Sequence, residues 1–270
     1  MSRVALVQLQ VSMQKDKNLK SGIEYVREAK TKKAELVVFP EFLMAYSPPD
    51  QTANELAKIA ETINGEFVST LKTIAKRNTI SIIATIYEKS RIRNRVYDTA
   101  LLISKKGKLS SVYRKLHLYD AFGFKESSKL VKGKELASPV RTNIGSIGMM
   151  ICYDVRFPEM SRILALMGAD VLVMPSAWVQ GENKVEHWQT MLKARAIENG
   201  CYVVAPDQIG NVYVGHSMIV DPLGRTVLDM EEREGLEVVD LSNRLINDTR
   251  KQLPLLRNRR SDIYSKHFRK

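Results

Sequence analysis

An eight-residue pattern that occurs twice constrains this chain more than any other feature. Ala34-Glu35-Leu36-Val37-Val38-Phe39-Pro40-Glu41 is matched by Ala169-Asp170-Val171-Leu172-Val173-Met174-Pro175-Ser176. In each copy a small residue and an acid precede a short apolar run, and a proline ends it. Proline cannot donate to a ladder of hydrogen bonds, so each run reads as a buried strand with a fixed end. Around both copies, short apolar runs alternate with segments of helical period, which predicts an α/β fold. Two related halves, each a sheet with helices on one face, would pack sheet against sheet. The expected architecture is therefore a four-layer α-β-β-α sandwich, with ligands bound near the ends of the strands.

The first half is expected to run strand 4–10, helix 16–33, strand 36–39, helix 66–77 and strand 80–87. Strands 99–104 and 109–113 follow, around the turn Lys105-Lys106-Gly107-Lys108. The second half repeats the rhythm: strand 146–151, helix 158–167, strand 171–174, helix 182–199 and strand 202–205. Pro158 near a helix start and Gly168 beyond its end have the usual asymmetry. Strands 214–221 and 226–229 form a second hairpin around Pro222-Leu223-Gly224, and 237–240 is a last strand. Residues 117–138 read as irregular, and are too long for an idle connection. No linker or low-complexity segment interrupts the chain. One domain is expected over residues 1–250, followed by a basic tail over 251–270.

With 270 residues, 44% of them hydrophobic, the chain can bury a core without disulfides or metals. The apolar start is broken by Gln8 and Gln10 and lacks a small-residue cleavage site. No apolar run reaches the roughly 18–20 residues a bilayer requires, so a cytoplasmic protein with no membrane partner is expected. Cys152 and Cys201 are the two cysteines, and a disulfide between them is not expected in that compartment. The net charge of +12 invites a nucleic-acid reading, but residues 251–270 carry half of it, with seven Lys/Arg against one Asp. No nucleic-acid-binding motif accompanies this tail, so no such partner is expected.

Cys152 lies between a predicted strand and a predicted helix. Such a turn gathers backbone N–H groups and a helix N-terminus, which favour a thiolate nucleophile. A lone cysteine after an apolar strand is otherwise commonly a core residue, so position alone leaves both readings open. Glu41 ends a buried strand, where a carboxylate costs free energy unless paired or used; a helix cap or surface acid is the alternative. Lys115 taken singly would be an ordinary exposed lysine.

Together, three segments resemble the signature motifs of the nitrilase superfamily of carbon–nitrogen hydrolases. They are Phe39-Pro40-Glu41, Tyr113-Arg114-Lys115-Leu116-His117-Leu118 and Cys152-Tyr153-Asp154-Val155-Arg156-Phe157-Pro158-Glu159, and their order and approximate separations also match. His187-Trp188 with Ala194-Arg195-Ala196-Ile197-Glu198-Asn199 resembles the family's long helix, and Gly215-His216-Ser217 through Gly224 its next hairpin. The resemblance runs from about Val4 to Tyr264. It implies that Glu41 is the general base, Lys115 the electrophilic stabiliser and Cys152 the nucleophile. Glu126 matches a second glutamate that positions the lysine or assists the base. The chemistry is sound independently: a neutral thiol needs a base or a nearby cation, and an oxyanion needs donors, here Lys115 and the backbone N–H of Tyr153. No metal or organic cofactor is required.

The continuation Tyr-Asp-Val-Arg-Phe after the cysteine resembles amidase branches, notably omega-amidase and the amidase of deaminated glutathione. Trp-Glu in that place would mark true nitrilases. Those branches imply an amide with a distal carboxylate, for which Arg156 is a candidate partner; an ion pair with Asp154 or Glu159 is the alternative. Tyr46 and Trp178 follow the two repeated strands and are candidate pocket residues. The stretch Ser176 to Asn183 departs from the omega-amidase pattern, which leaves N-carbamoyl-amide hydrolysis open. A non-catalytic relative using the fold as a binding scaffold is the rival from another class. His117, His187 and His216 lack metal-ligand spacing, and the local signature of papain-like enzymes is absent. The resemblance also implies a homodimer or higher homo-oligomer, with the tail crossing to a neighbouring subunit.

Overall fold

The computed structural model describes residues 2–267. The first half contains β1 (Ser2–Gln8), α1 (Lys15–Thr31), β2 (Leu36–Val38), α2 (Ala53–Ile59), α3 (Glu66–Asn78), β3 (Ser81–Lys89), β4 (Val96–Ile103) and β5 (Leu109–Arg114). The second contains β6 (Val140–Thr142), β7 (Gly145–Met149), α4 (Pro158–Leu166), β8 (Val171–Val173), α5 (Lys184–Asn199) and β9 (Tyr202–Ala205). The ribbon β10 (Ile209–Gly210) and β11 (Tyr213–Val214), then β12 (Met218–Val220), β13 (Thr226–Asp229), β14 (Gly235–Leu241), α6 (Asn243–Gln252) and α7 (Ser261–Tyr264) complete it.

Two six-stranded sheets result, ordered β14-β1-β2-β3-β4-β5 and β13-β12-β9-β8-β7-β6. Each has a parallel centre, β1-β2-β3 in one and β7-β8-β9 in the other, with antiparallel strands at its edges. Side chains of a strand alternate between faces, and β2 shows the consequence. Leu36 and Val38 join Val4, Leu6 and Ile83 against Ile147, Met149, Leu172 and Val204 of the second sheet, while Val37 faces Val26, Phe67 and Leu71 of α1 and α3. Burial on both faces explains why these strands are apolar throughout. The expected α-β-β-α sandwich is the observed one. The last strand, β14, returns to pair with all of β1, from Ser2↔Leu241 to Gln8↔Gly235, which ties the two halves together.

Three of the differences from expectation have a clear physical cause. The stretch 214–221 is not one strand, because Gly215 (φ 76°) and His216 (φ 54°) turn the chain between β11 and β12. A Cβ on Gly215 would lie 2.7 Å from the carbonyl of Glu231, so only glycine fits that approach. Helix α2 is short, but its Thr52–Glu55 capping box satisfies the first turn from both sides. Helix α6 has a sparse apolar pattern and is held by tertiary contacts: Ile246 and Thr249 are buried, and Arg250 reaches Asp170 at 2.8 Å and the Gly200 carbonyl at 3.1 Å. Leu256, in the basic tail, packs on the inter-sheet core; Arg269 and Lys270 lie outside the described residues.

Candidate active site

The repeated prolines end β2 and β8 side by side. There the backbone of Glu41 donates to the Ser176 carbonyl at 3.1 Å, and that of Cys152 to the Pro175 carbonyl at 3.0 Å. Gln208 donates to the Glu41 carbonyl at 2.7 Å. The strand ends of both sheets thus converge, and each delivers one side chain to the same place. Cys152 itself has φ 42° at the start of a tight 3-10 turn, Cys152–Arg156. A non-glycine residue in the left-handed region costs on the order of 1–2 kcal/mol per residue, and such strain is characteristic of functional sites.

Lys115 arrives from the end of β5. Its Nζ donates to Glu41 Oε1 at 2.7 Å and to Glu126 Oε1 at 2.9 Å, and Asp98 Oδ2 stands 4.0 Å away. Glu126 is fixed in turn by the Tyr119 backbone N–H, 2.7 Å from Oε2. Asp154 locks the lysine segment onto the cysteine turn. It accepts from the Tyr113 hydroxyl at 2.6 Å, from the Ile151 backbone at 2.9 Å and from the His117 backbone at 3.2 Å. Glu41 and Lys115 are 1% exposed and Cys152 is 6% exposed. Among the described residues, no N–H or hydroxyl group donates to the remaining oxygen of Glu41, Oε2.

The electrostatics of this cluster follow from burial. Desolvation alone would lower the Lys115 ammonium, but Glu126, Glu41, Cys152 and Asp98 together raise it well above its ordinary value, so it stays charged. Burial and then the Glu41 charge push the Cys152 thiol well up, against Lys115 and an N–H from Ala177. Burial and then the Glu41 charge, to which it also hydrogen-bonds, push Asp98 well above the ordinary carboxylate range, against Lys115. A carboxyl raised on folding contributes stability below its unfolded value that is lost as pH climbs towards its folded one. Asp98→Asn fixes the neutral form, so it is expected to be at least as stable as the parent at pH 7, with a flatter stability–pH curve in urea unfolding. A loss of more than about 1 kcal/mol at pH 7 would mean that Asp98 is ionised there.

Cys152, Tyr153 and Glu126 open on a cavity of about 490 Å3, whose lining includes Tyr46 and Trp178. The Tyr153 backbone N–H opens the tight turn and makes no hydrogen bond among the described residues. Arg156 is not in the cavity wall. Its guanidinium lies 4.8 Å from the centre of the Trp178 ring, and it forms no ion pair with Asp154 or Glu159 among the described residues. Three contributors escaped the sequence reading. Asp98 and Tyr119 carry no motif signal, and Lys184 follows directly on the stretch that departs from the family pattern. Cys201 is core, with its Sγ 3.2 Å from the Ala169 carbonyl, and both cysteines are free. His117 is taken up by Asp154 and by stacking on Phe157 at 3.6 Å.

Two facing sheets whose strand ends bring a buried cysteine, glutamate and lysine together define the nitrilase type of fold. Residues 3–251 match the carbon-nitrogen hydrolase family, and the chain belongs to it. It is 37% identical to a protein of Escherichia coli O157:H7 named deaminated glutathione amidase, over 95% of this chain and 97% of that one. The C. elegans NitFhit protein superposes with a TM-score of 0.90 at 33% identity, covering 97% of this chain; this chain spans 66% of that longer one. Saccharomyces cerevisiae Nit3, a member of branch 10 of the nitrilase superfamily, gives 0.85 at 30% identity over 96% of both.

Proposed function

We propose that this enzyme is a thiol-dependent amidase that hydrolyses the amide of a small carboxylic acid and releases ammonia. The observation that carries this reading is the geometry of the buried cluster: Glu41 is hydrogen-bonded to Lys115 at 2.7 Å, and its strand end meets the turn that holds Cys152. Glu41 takes the thiol proton while Lys115 offsets the charge that develops on sulfur and oxygen. The sulfur attacks the amide carbonyl from the cavity side, and the oxyanion is held by Lys115 and the Tyr153 backbone N–H. Glu41 returns the proton to the departing nitrogen; the C–N bond breaks, ammonia leaves, and a thioester remains. Water, deprotonated by Glu41, then attacks the thioester, and the acid and the free thiol are restored. Glu126 acts through Lys115, as a positioning residue.

The relatives named deaminated glutathione amidase favour an amide over a nitrile or an N-carbamoyl compound. Ammonia release from ω-amides, deaminated glutathione, N-carbamoyl compounds and nitriles tests the assignment directly; release from nitriles alone would overturn it. We place the enzyme in the cytoplasm as a homodimer or higher homo-oligomer, with a catalytic domain over residues 1–250 and residues 251–270 at a subunit interface. In support, Ile163 and Leu166 on α4 and Met167 at its end are 41–46% exposed and share one face. No helix among the described residues is long and apolar enough to cross a membrane. The double variant Ile163→Asp/Leu166→Asp is expected to halve the mass in sedimentation; an unchanged mass would move the interface elsewhere.

A further inference from the structure

We infer that Lys184 is a specificity-determining residue, whose ammonium selects amides that carry a carboxylate at the far end. The inference rests on the amidase reading for the identity of the reacting end. Lys184 is the first residue of α5, is only 6% exposed, and lines the same cavity as Cys152. Its Nζ makes one hydrogen bond, to the Tyr119 hydroxyl at 2.8 Å, and lies 4.3 Å from the Phe122 ring centre and 5.6 Å from that of Trp178. An ammonium has three donors, and no protein carboxylate pairs with this one among the described residues. Burying a cation without an anion costs several kcal/mol, which aromatic faces offset only in part.

The surroundings point the same way. The cavity wall holds three lysines, Lys125, Lys129 and Lys184, and one acid, Glu126, which is already engaged by Lys115. Lys129 is occupied by the Pro48 carbonyl at 2.9 Å, whereas Lys184 is a buried cation on the cavity wall with no carboxylate partner among the described residues. Its backbone is fixed on both sides: it donates to the Gly181 carbonyl at 3.2 Å and accepts from the Trp178 indole at 2.8 Å. Burial first, and then Arg156, lower its ammonium. A carboxylate bound in the cavity supplies the missing anion at a preorganised position, which is the arrangement that converts charge into selectivity.

The test is calorimetric titration of Cys152→Ala protein with glutaramate and with its methyl ester. With Lys184 present, the acid is expected to bind at least about tenfold tighter than the ester. In C152A/K184M that acid-to-ester ratio is expected to fall about tenfold, a change of about 1.4 kcal/mol. In C152A/K184R, which keeps the charge, the preference is expected to persist. Equal binding of acid and ester when Lys184 is present, no detectable glutaramate binding, or an unchanged ratio in K184M would each overturn the assignment. Loss of the preference in K184R as complete as in K184M would do the same. Because binding is read without turnover, a protein that shows the Lys184-dependent preference yet releases no ammonia would refute the amidase reading and leave this one standing.

Discussion

Cys152→Ala is expected to abolish ammonia release, lowering kcat by about 10^4-fold or more, while the folded protein still binds the amide. The sulfur forms the bond that replaces C–N, and among the described residues no other cysteine lines the cavity: Cys201 is buried at the Ala169 carbonyl. Glu41→Gln retains an acceptor for Lys115 but removes the base, and a loss of about 10^2–10^4-fold is expected. The two variants differ in one further respect. Glu41 is the second cause, after burial, of the raised thiol, and Lys115 opposes it. Removing the glutamate charge should therefore lower the thiol, so alkylation by iodoacetamide should set in at lower pH in Glu41→Gln than in the parent. Undiminished turnover in Cys152→Ala would eliminate the thioester route. An alkylation profile shifted upward in Glu41→Gln would contradict the proposed charge arrangement.

Lys115→Met is expected to damage both activity and stability. The methionine fills similar space but leaves Glu41, Glu126 and Asp98 without their buried cation. Breaking a buried pair by removing one partner costs about 3–5 kcal/mol, because the charge left behind is neither solvated nor paired. The carboxylates would respond by holding their protons. Asp98 is already raised by burial and Glu41, and Glu126 by burial with Lys115 opposing, so loss of the lysine raises both further. Acids raised on folding bind more protons in the native state than in the unfolded one, so stability falls as pH rises through that window. Urea unfolding of Lys115→Met should therefore show the smallest deficit near the ordinary carboxylate range and a growing one towards neutral pH. A deficit that is constant with pH would mean that Lys115 contributes by packing alone. Ammonia release should fall by about 10^2–10^3-fold or more, the order expected for losing an oxyanion donor.

Much of this molecule is legible from local chemistry. The twin apolar runs before Pro40 and Pro175 predict the parallel strands at the centre of both sheets, because residues buried on both faces leave a continuous apolar record. Helix α4 is announced by Pro158, and α5 is closed by Gly200 at φ 58°. Where the record is faint, the reason is also physical. Helix α6 owes its place to Arg250 on Asp170 and Gly200, contacts between residues far apart in the chain, which no periodicity within 243–252 encodes. The break between β11 and β12 comes from a close approach to the Glu231 carbonyl, which a strand-like composition cannot announce.

The same division holds for the site. Glu41, Lys115, Cys152 and Glu126 were readable in the sequence only through the resemblance of their segments to the family's motifs, since singly each also fits a cap, a surface or a core position. Their meeting was decided by the tertiary structure: Glu41 and Ser176 join across two sheets, and Asp154 clamps the lysine segment to the cysteine turn. Burial in that meeting place also shifts the titration of the thiol, Lys115 and Asp98 upward, since desolvation and neighbouring charge belong to positions in space. Lys184 is the plainest case. In the sequence it is one lysine among the 42 Lys and Arg residues, and only the closing of Tyr119, Phe122 and Trp178 around it turns it into a buried cation. The sequence by itself determined the fold class and the central strands, because those follow from side-chain polarity and local backbone chemistry, and its motifs marked the candidate reactive groups. The tertiary structure decided which of those groups share a dielectric, and therefore which charges exist and which wait for a substrate.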